Sequence, residues 1–312
     1  MTKVSVVVPA FNGDRFVGEA LASVFAQTYR DFEVIVVDDG STDETIRLVR
    51  AFECSQLSII QQANSGTAAA RNTGFRAAKG AYIAFLDQDD LWHPDKLERQ
   101  LAAFSNDEVG LVGTLMDYIG PSGKRIAISG ESSEGRMSDI AAGRFMPFPP
   151  SSMIIRAEIL RALGGFDEEL YRVAPVDDLD LVARVAATHL VLTLPESLGS
   201  YRVHESAETF TKFYQMQDAT RFVQARIGSR KTGEDLDWDQ WKTSARSTKF
   251  SRKHDLANYL YRRGGLRIAN GDWLRGVGSV GFATLLDPRY TLPRFGRQFL
   301  FPRARNRKSG IK

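Results

Sequence analysis

The sequence predicts an α/β protein: a doubly wound, mostly parallel sheet with helices on both faces, followed by a helical C-terminal region. Over about the first 105 residues, short apolar runs alternate with segments of helical periodicity. The runs are apolar at consecutive positions, as in strands that are buried on both faces of a sheet. From about residue 211 onward the chain is polar, with apolar residues at helical spacing. We therefore expect a sheet domain over residues 1–210 and a helical region over residues 211–312.

Strands and helices of the first part can be assigned in chain order. β-Branched residues predict a strand at 4–9, and helical spacing from Val17 to Phe25 predicts a helix over 15–27. The apolar run 32–37 predicts a second strand, and Ser41 to Glu44 form a capping-box pattern before another helix. A short strand at 57–60, an alanine-rich helix at 67–78, a strand at 82–86 and a helix carrying Leu97 follow.

The pattern is less regular from residue 109 to 201. It predicts two strands, at 109–116 and 152–155, and a helix that opens at Asp177. Residues 255–286 have helical spacing interrupted by Gly264-Gly265 and Asn270-Gly271, which indicates packed helix pairs broken at those glycines.

Composition excludes several classes of function. Cys54 is the only cysteine, so an internal disulfide and a thiolate metal cluster are excluded. The net charge of +3 is too small to indicate nucleic-acid binding. The first strand is followed by neither a phosphate-binding P-loop nor a G-x-G-x-x-G motif. The sequence shows no signal-peptide core and no apolar run of about 20 residues, which predicts a cytoplasmic protein, with the inner face of the plasma membrane as a further candidate location.

Three carboxylates, Asp87, Asp89 and Asp90, follow directly after the apolar run that ends at Leu86. Ligands of parallel α/β sheets bind beyond the carboxyl ends of the strands, so residues 9–12, 38–41 and 87–90 are predicted to share one rim. Clustered carboxylates favour a hard cation such as Mg²⁺ or Mn²⁺, which takes its other ligands from water and phosphate. The alternative is a turn of acids that caps the next helix, with Pro94 as the first helical residue.

Several segments resemble inverting glycosyltransferases of family 2, which have the GT-A fold. Residues 4–12 (VSVVVPAFN) resemble the opening of these enzymes, and 23–29 and 32–43 continue the similarity. It resumes at Asn64-Ser65-Gly66 and Ala70-Arg71-Asn72-Thr73-Gly74, and Asp87-Gln88-Asp89 resembles the D-x-D motif of the family. Each motif alone is weak, whereas their order and spacing over residues 3–206 are specific. Three further segments extend the similarity: Gly164 to Asp167, Asp178 to Leu181, and Tyr201 to His204.

The resemblance implies a role for individual residues. Asp89 would bind the metal at the diphosphate, and His204 is a second candidate ligand. Asp178 would be the general base that takes the proton from the acceptor hydroxyl. Asp177 is the reserve candidate, because the family usually has Glu-Asp where this chain has Asp177-Asp178. The residues expected to bind the sugar nucleotide are Pro9, Ala10, Asn12, Asp38, Asp39, Arg71, Asn72, Asp87 and Gln88.

The predicted function is therefore metal-dependent, inverting transfer of a sugar from a nucleoside-diphosphate sugar, most simply a UDP-sugar, to an acceptor hydroxyl. The acceptor would be a glycan or a lipid-linked glycan in the synthesis of a surface polysaccharide or glycoconjugate. Two alternatives stay open: a non-catalytic module that binds sugar nucleotides or glycans, and a nucleotidyltransferase. Trp92 is either a sugar-stacking residue or part of the core.

The C-terminal segment from Pro288 to Lys312 contains eight Lys or Arg residues and no acid. Aromatic and aliphatic residues lie between the basic ones, a pattern that is typical of segments binding acidic lipid surfaces. Peripheral membrane contact through this segment is one prediction, and a solvated tail is the alternative.

Overall fold

We describe a computed structural model of the chain, which covers residues 3–52, 54–129, 132–204, 207–230, 232–234, 236–244, 249–269 and 271–295. The chain divides into two compact units. The first comprises residues 1–203 and 215–241, and the second comprises residues 204–214 and 242–312. The domain division at residue 210 that the sequence suggested stays a prediction.

The elements of the described residues follow in chain order. The strands are β1 (Val4–Ala10), β2 (Phe32–Asp38), β3 (Leu57–Gln61), β4 (Tyr82–Phe85), β5 (Leu91–Trp92), β6 (Val109–Ile119), β7 (Arg125–Ser129), β8 (Ile154–Arg156) and β9 (Leu190–Arg202). The helices of the first part are α1 (Val17–Phe25), α2 (Thr45–Arg50), α3 (Thr67–Ala77), α4 (Lys96–Ala102), α5 (Met137–Ala141), α6 (Ala157–Ala162), α7 (Glu168–Val173) and α8 (Asp177–Ala186). The remaining helices are α9 (Glu208–Thr211), α10 (Phe213–Arg230), α11 (Trp238–Ser244), α12 (Lys249–Ala269), α13 (Trp273–Leu286) and α14 (Pro288–Phe295).

One mixed sheet organises the first unit, in the order β3-β2-β1-β4-β8-β6-β9-β5, with β7 paired to β6. The four N-terminal strands are parallel to one another, as predicted. β8 then runs antiparallel to both β4 and β6, whereas β9 is parallel to β6. The fold class predicted from the sequence is confirmed, with its parallel part at the N-terminal half.

Helices cover both faces of the parallel half of the sheet. Alternate residues of each strand point to opposite faces, so each strand contributes side chains to both layers of the core. On one face Val6 and Val8 of β1 pack with Leu21 and Val24 of α1. On the other face Val7 belongs to a second buried cluster that includes residues of α3 and α8. The strands are therefore apolar at consecutive positions, which is the pattern that predicted them.

The structure corrects the predicted capping box at residues 41–44. Helix α2 begins at Thr45, whose backbone N–H donates to Asp43 Oδ1 at 3.0 Å. The Ser41 hydroxyl instead accepts from the backbone N–H of Asn12 at 3.0 Å. These polar residues therefore stabilise the loop between β2 and α2 and its contact with the β1 loop.

The alternative in which the acids of residues 87–90 cap the next helix is wrong. Strand β5 follows them, and α4 begins only at Lys96, with Asp95 at its N-cap position. Pro94 consequently precedes the helix and is not its first residue. The acids belong to the loop between β4 and β5.

The secondary-structure elements among the described residues of the second unit are all helices, as expected. Helix α12, however, runs through Gly264-Gly265 without a break. A Cβ atom on Gly264 would lie 2.8 Å from the carbonyl oxygen of Gly276 in α13. The glycine therefore allows two helices to approach closely and does not end one. The predicted basic segment lies outside the described residues from residue 296 onward. No helix among the described residues is long and apolar enough to span a bilayer.

Candidate active site

Three neighbouring strands end at the same rim of the sheet. β1 and β2 are in register to Ala10 and Asp38, and Asp39 donates its backbone N–H to the Ala10 carbonyl at 2.8 Å. β4 pairs with β1 up to Phe85, and Leu86 donates to the Val7 carbonyl at 3.1 Å. The loop after β4, with its carboxylates, therefore begins beside the loop after β1. Pro9 and Ala10 are buried at the end of β1.

Gln88 joins the two loops. Its amide accepts from the Phe11 N–H and donates to the Phe11 carbonyl, both at 2.9 Å. Asn12, at φ +44°, lies in the left-handed region, and its Oδ1 accepts from the Thr42 backbone N–H at 2.9 Å. Both residues thus hold the backbone of the β1 loop in place.

Asp38 and Asp39 are both buried, and their carboxylates accept hydrogen bonds from different residues. Asp38 accepts from the backbone of Ser41 at 3.0 Å and from the Gln61 amide at 3.1 Å. Asp39 accepts from Ser65 N at 2.9 Å and from Gly66 N at 2.8 Å, directly before α3. The Gln62 amide adds a third hydrogen bond to Asp39, at 2.7 Å. Asp39 therefore holds the start of the helix that carries Arg71.

Arg71 lies buried on α3 between two carboxylates from distant parts of the chain. Its Nη2 donates to Asp87 Oδ1 at 2.7 Å, and its Nη1 donates to Asp177 Oδ2 at 3.3 Å. Burial disfavours the charged guanidinium, but Asp87 and Asp177 outweigh it, so the pKa of Arg71 is raised above its usual value. Its buried Nε has no hydrogen-bond partner among the described residues. The guanidinium lies 5.3 Å from the centre of the Phe166 ring.

Asn72 connects α3 to the turn before α7. Its amide donates to the Phe166 carbonyl at 2.9 Å and accepts from the Phe166 N–H at 2.9 Å. The same amide donates to Glu168 Oε1 at 2.8 Å. Gly165 must be glycine here, because it has φ +82° and a Cβ atom on it would lie 2.4 Å from Asn72 Oδ1. In this geometry Asn72 positions the helix that carries Arg71.

The candidate bases lie at the N-terminus of α8, whose Leu181 and Val182 pack in the core under the sheet. Burial raises the pKa of Asp177 to about 7; Arg71 opposes this shift and Asp178 adds to it. Burial also raises the pKa of Asp178, which Arg71 again opposes. Asp177 is 2% exposed and paired to Arg71, whereas Asp178 keeps partial exposure. Asp178 is therefore the more exposed of the two candidate bases.

Arg202, at the end of β9, holds the loop that carries the acids. Its Nε donates to the Asp89 carbonyl at 2.8 Å, and its backbone N–H donates to Asp90 Oδ1 at 2.8 Å. Nη2 pairs with Glu19 at 2.7 Å. Sequence reasoning gave Arg202 no role, although it lies within the Tyr-Arg-Val-His motif. Only the pairing of β9 beside this loop brings it there.

Ser151 is a second residue whose role the sequence did not indicate. Its hydroxyl accepts from the Asp87 backbone N–H at 3.0 Å, and its carbonyl accepts from Trp92 Nε1 at 2.7 Å. Trp92 is 4% exposed and belongs to the core cluster of α1 and β1, so it is a core residue and not a sugar-stacking one. The one feature of the sequence that could have drawn attention to Ser151 is the proline-rich segment that precedes it.

The carboxylates of the β4–β5 loop differ in environment. Burial, together with the nearby charges of Asp89 and Asp87, raises the pKa of Asp90 well above its usual value. Asp90 Oδ2 is buried and has no hydrogen-bond partner among the described residues, and Asp89 beside it is half-buried. Within the described ranges no group of three or more His, Cys, Asp or Glu side chains could hold a metal ion by itself.

His204 follows β9 by two residues and begins the second compact unit. Its carbonyl accepts from the Ala207 N–H at 3.1 Å. Its role as a metal ligand stays a prediction.

The model of glycosyl transferase family 2 matches residues 5–164. An uncharacterized glycosyltransferase of Nostoc is 34% identical over 211 residues, covering 65% of each chain. An Escherichia coli UDP-Glc:α-D-GlcNAc-diphosphoundecaprenol β-1,3-glucosyltransferase is 36% identical over 110 residues, covering 35% of this chain and 44% of that protein. The chain spans 65% of the Nostoc relative and 34% of an uncharacterized glycosyltransferase from Rickettsia felis.

Solved structures share the fold. TarS of S. aureus in complex with UDP has a TM-score of 0.57 at 19% identity, covering 93% of this chain and 92% of that one. A mannosyltransferase of Pyrobaculum calidifontis, in complex with GDP-Man and Mn²⁺, has a TM-score of 0.57 at 20% identity, covering 94% of this chain and 79% of that one. At these identities the similarity establishes the GT-A-like fold alone.

Proposed function

The chain belongs to glycosyl transferase family 2, and on that premise we propose that it transfers a sugar from a nucleoside-diphosphate sugar to an acceptor hydroxyl with inversion at the anomeric carbon. The observation that carries the proposal is the placement of Arg71 between Asp87 and Asp177. It joins the acidic loop of the predicted donor site to the helix that carries the candidate base. A module that only binds sugar nucleotides would not need a candidate base on α8 in addition to the acidic loop.

Donor binding is proposed at the rim formed by β1, β2 and β4. Ser41, Asn12 and Gln88 hold the loops of this rim in one arrangement. Preorganised loops lose little conformational entropy when a ligand binds, which favours affinity. All four carboxylate oxygens of Asp38 and Asp39 accept hydrogen bonds from other residues of the protein, so we propose that these residues shape the nucleotide site as well as contacting it.

Asp178 is proposed as the general base and Asp177 as its reserve. The acceptor oxygen would attack carbon 1 of the sugar while its proton passes to a carboxylate oxygen of Asp178, and the nucleoside diphosphate would leave from the opposite face. Burial raises the pKa of Asp178, and a carboxylate with a raised pKa accepts a proton more readily than an ordinary one. Asp178 is the more exposed of the two carboxylates, and Arg71 Nη1 pairs with Asp177; both observations support Asp178.

A divalent cation, Mn²⁺ or Mg²⁺, is proposed at Asp89. The donor set fits a hard cation, because the loop offers carboxylate oxygens and Asp90 Oδ2 is buried without a hydrogen-bond partner among the described residues. When bound, the cation would offset the negative charge of the leaving diphosphate. His204 is proposed as a second ligand.

The donor is proposed to be a UDP-sugar, and the acceptor a glycan or lipid-linked glycan in surface polysaccharide synthesis. The E. coli relative is named for a UDP-Glc donor and a diphosphoundecaprenol acceptor, which supports both choices. A cytoplasmic location is part of the proposal. The family match favours sugar transfer over nucleotidyl transfer.

Calorimetric titration tests the donor site. The purified chain is titrated with UDP-, GDP- and dTDP-sugars, with Mn²⁺ or EDTA, and the series is repeated with Asp89→Asn. Metal-dependent binding of one nucleotide that is lost in the variant is the expected result. Absence of binding in a folded protein would remove the transferase proposal, and tight binding without turnover on any acceptor would favour a non-catalytic module.

A further inference from the structure

Helix α13 of the second unit exposes large apolar side chains along most of its length. Leu274 is 91% exposed, Leu285 is 81% exposed and Trp273 is 63% exposed. Val277 and Phe282 are also more than half exposed. Exposed apolar surface that is continuous along an element usually marks an interaction site.

The buried side of α13 is formed by smaller residues than the exposed side. Gly276, Val280 and Ala283 are its buried positions. Gly276 lies against Gly264 of α12, where a Cβ atom would come within 2.8 Å of a backbone oxygen. A helix pair in water normally buries its largest apolar residues between the helices. Here small residues allow close approach between the helices and the large ones face outward, as in helices that are surrounded by lipid.

The charge of the second unit is predominantly positive. Between Trp273 and Leu286 the only ionisable residue is Arg275. The second unit as a whole contains 18 Lys or Arg and 5 Asp or Glu residues, whereas the rest of the chain contains 23 and 33. The modest net charge of the protein therefore conceals a strongly cationic unit. Such a unit is attracted to an anionic surface.

We infer that α13 lies in the plane of an anionic lipid bilayer, with Trp273, Leu274 and Leu285 inserted among the acyl chains near the headgroups. A helix of 14 residues is about 21 Å long, shorter than the roughly 30 Å core of a bilayer. It can therefore lie on the membrane but cannot cross it. A cationic helix pair with one apolar face is the pattern of interfacial helices.

Lipid fits this face better than a second copy of the chain. A symmetric dimer through α13 would bring two cationic units together, and their repulsion would oppose association. Nucleic acid would use the positive charge but not the exposed leucines. The inference goes beyond the proposed transfer reaction and does not depend on it.

Flotation with vesicles tests the inference on the full chain. Wild type is incubated with phosphatidylcholine vesicles containing about 30% phosphatidylglycerol, and with pure phosphatidylcholine vesicles, at about 0.15 M salt. The double variant Leu274→Ser/Leu285→Ser keeps the charge and removes two inserted side chains. We expect its partition coefficient on anionic vesicles to fall at least about tenfold, since burying each leucine side chain favours insertion. The matched control is Ile126→Ser, an exposed apolar position in the first unit, which should bind like wild type.

Tryptophan fluorescence supplies a second readout. Brominated lipids should quench part of the wild-type emission on anionic vesicles, and Trp273→Phe should remove that part. Equal binding by wild type and the double variant, or equal binding to both vesicle types, would overturn the inference. A dimer that dissociates in the double variant without vesicles would assign the face to a second copy. Binding to nucleic acid with no response to either vesicle type would assign the charge to that partner.

Discussion

Arg71 Nη2 donates to Asp87 Oδ1 at 2.7 Å, across 16 positions of sequence, and both residues lie beside the rim of the sheet. The same guanidinium reaches Asp177, which is 106 positions away, at 3.3 Å. One buried cation therefore compensates two carboxylates, one in the β4–β5 loop and one at the start of α8. The acidic loop after β4 and the start of α8 are positioned relative to each other by this residue.

Removal of this cation should destabilise the fold and reduce turnover. We expect Arg71→Ala to lower the free energy of unfolding by about 3–5 kcal/mol, because the buried carboxylate of Asp177 and the partly buried carboxylate of Asp87 lose their partner. Urea unfolding and a turnover assay measure the effect. Arg76→Ala, five residues later on the same helix and 64% exposed, should change the stability by less than about 0.5 kcal/mol. Equal losses in both variants would show that Arg71 is not the structural link.

The two candidate bases can be separated by amide substitution. We expect Asp178→Asn to lower kcat by about 10² to 10⁴ while donor affinity stays close to wild type, since a positioned base acts mainly in the transition state. Asp177→Asn should also change stability, because it removes a partner of Arg71. Near-normal turnover of Asp178→Asn together with loss of turnover in Asp177→Asn would transfer the role of base to Asp177.

The stability of the protein should fall as the pH rises toward neutrality. Burial raises the pKa of Asp177 to about 7, and in the unfolded chain this carboxyl titrates near about 4. Between these pH values the folded state holds a proton that the unfolded state has lost, so the free energy of unfolding decreases with rising pH. Asp90 and Asp178, whose pKa values are raised mainly by burial, contribute in the same direction.

Urea unfolding from pH 4.5 to 8 measures this dependence. Asp177→Asn should flatten the profile, leaving the share that belongs to Asp90 and Asp178. Asp218→Asn, a carboxyl with a 59% exposed side chain, should leave the slope unchanged. A wild-type slope that persists in full in Asp177→Asn would contradict the raised pKa.

Arg202 is expected to act on donor binding through the backbone of the acidic loop. Arg202→Lys keeps a positive charge but cannot donate together to the Asp89 carbonyl, the Pro121 carbonyl and Glu19. We expect Mn²⁺-dependent donor affinity, measured by calorimetry, to weaken at least about tenfold, which is about 1.4 kcal/mol. Glu19→Gln keeps an acceptor at the partly exposed end of the pair and should bind donor nearly as well as wild type. An unchanged affinity in Arg202→Lys would remove this role.

Adjacent glycines of α12 should respond in opposite directions. Gly264→Ala places a Cβ atom 2.8 Å from the Gly276 carbonyl and should lower the free energy of unfolding of the chain. Gly265→Ala meets nothing within 4 Å and should raise that free energy by up to about 1 kcal/mol, because alanine has the higher helix propensity. Thermal unfolding followed by circular dichroism compares the two variants. Stabilisation by both would mean that the helices do not approach closely at Gly264.

The sequence pattern was sufficient to predict those strands and helices that have a clear hydrophobic periodicity of their own. The predicted strands at 4–9, 32–37 and 57–60 and the helix at 67–78 correspond closely to β1, β2, β3 and α3. β9 was not predicted, because Pro195, Glu196 and Gly199 interrupt its apolar pattern. It exists through its pairing with β6, whose register shifts along the strand. Tertiary pairing therefore overrode a weak local signal.

The sequence by itself determined that the N-terminal strands end in polar loops at one rim of the sheet. Hydrophobic periodicity locates each strand, and the carboxyl ends of parallel strands lie at the same edge. It also supplied the candidate residues through resemblance to a family. Only the tertiary structure decided how they are engaged: Arg71 between two carboxylates, Asn72 on the backbone of Phe166, and Trp92 in the core. Those partners come from segments far apart in the chain, and their contacts arise only when packing brings the segments together.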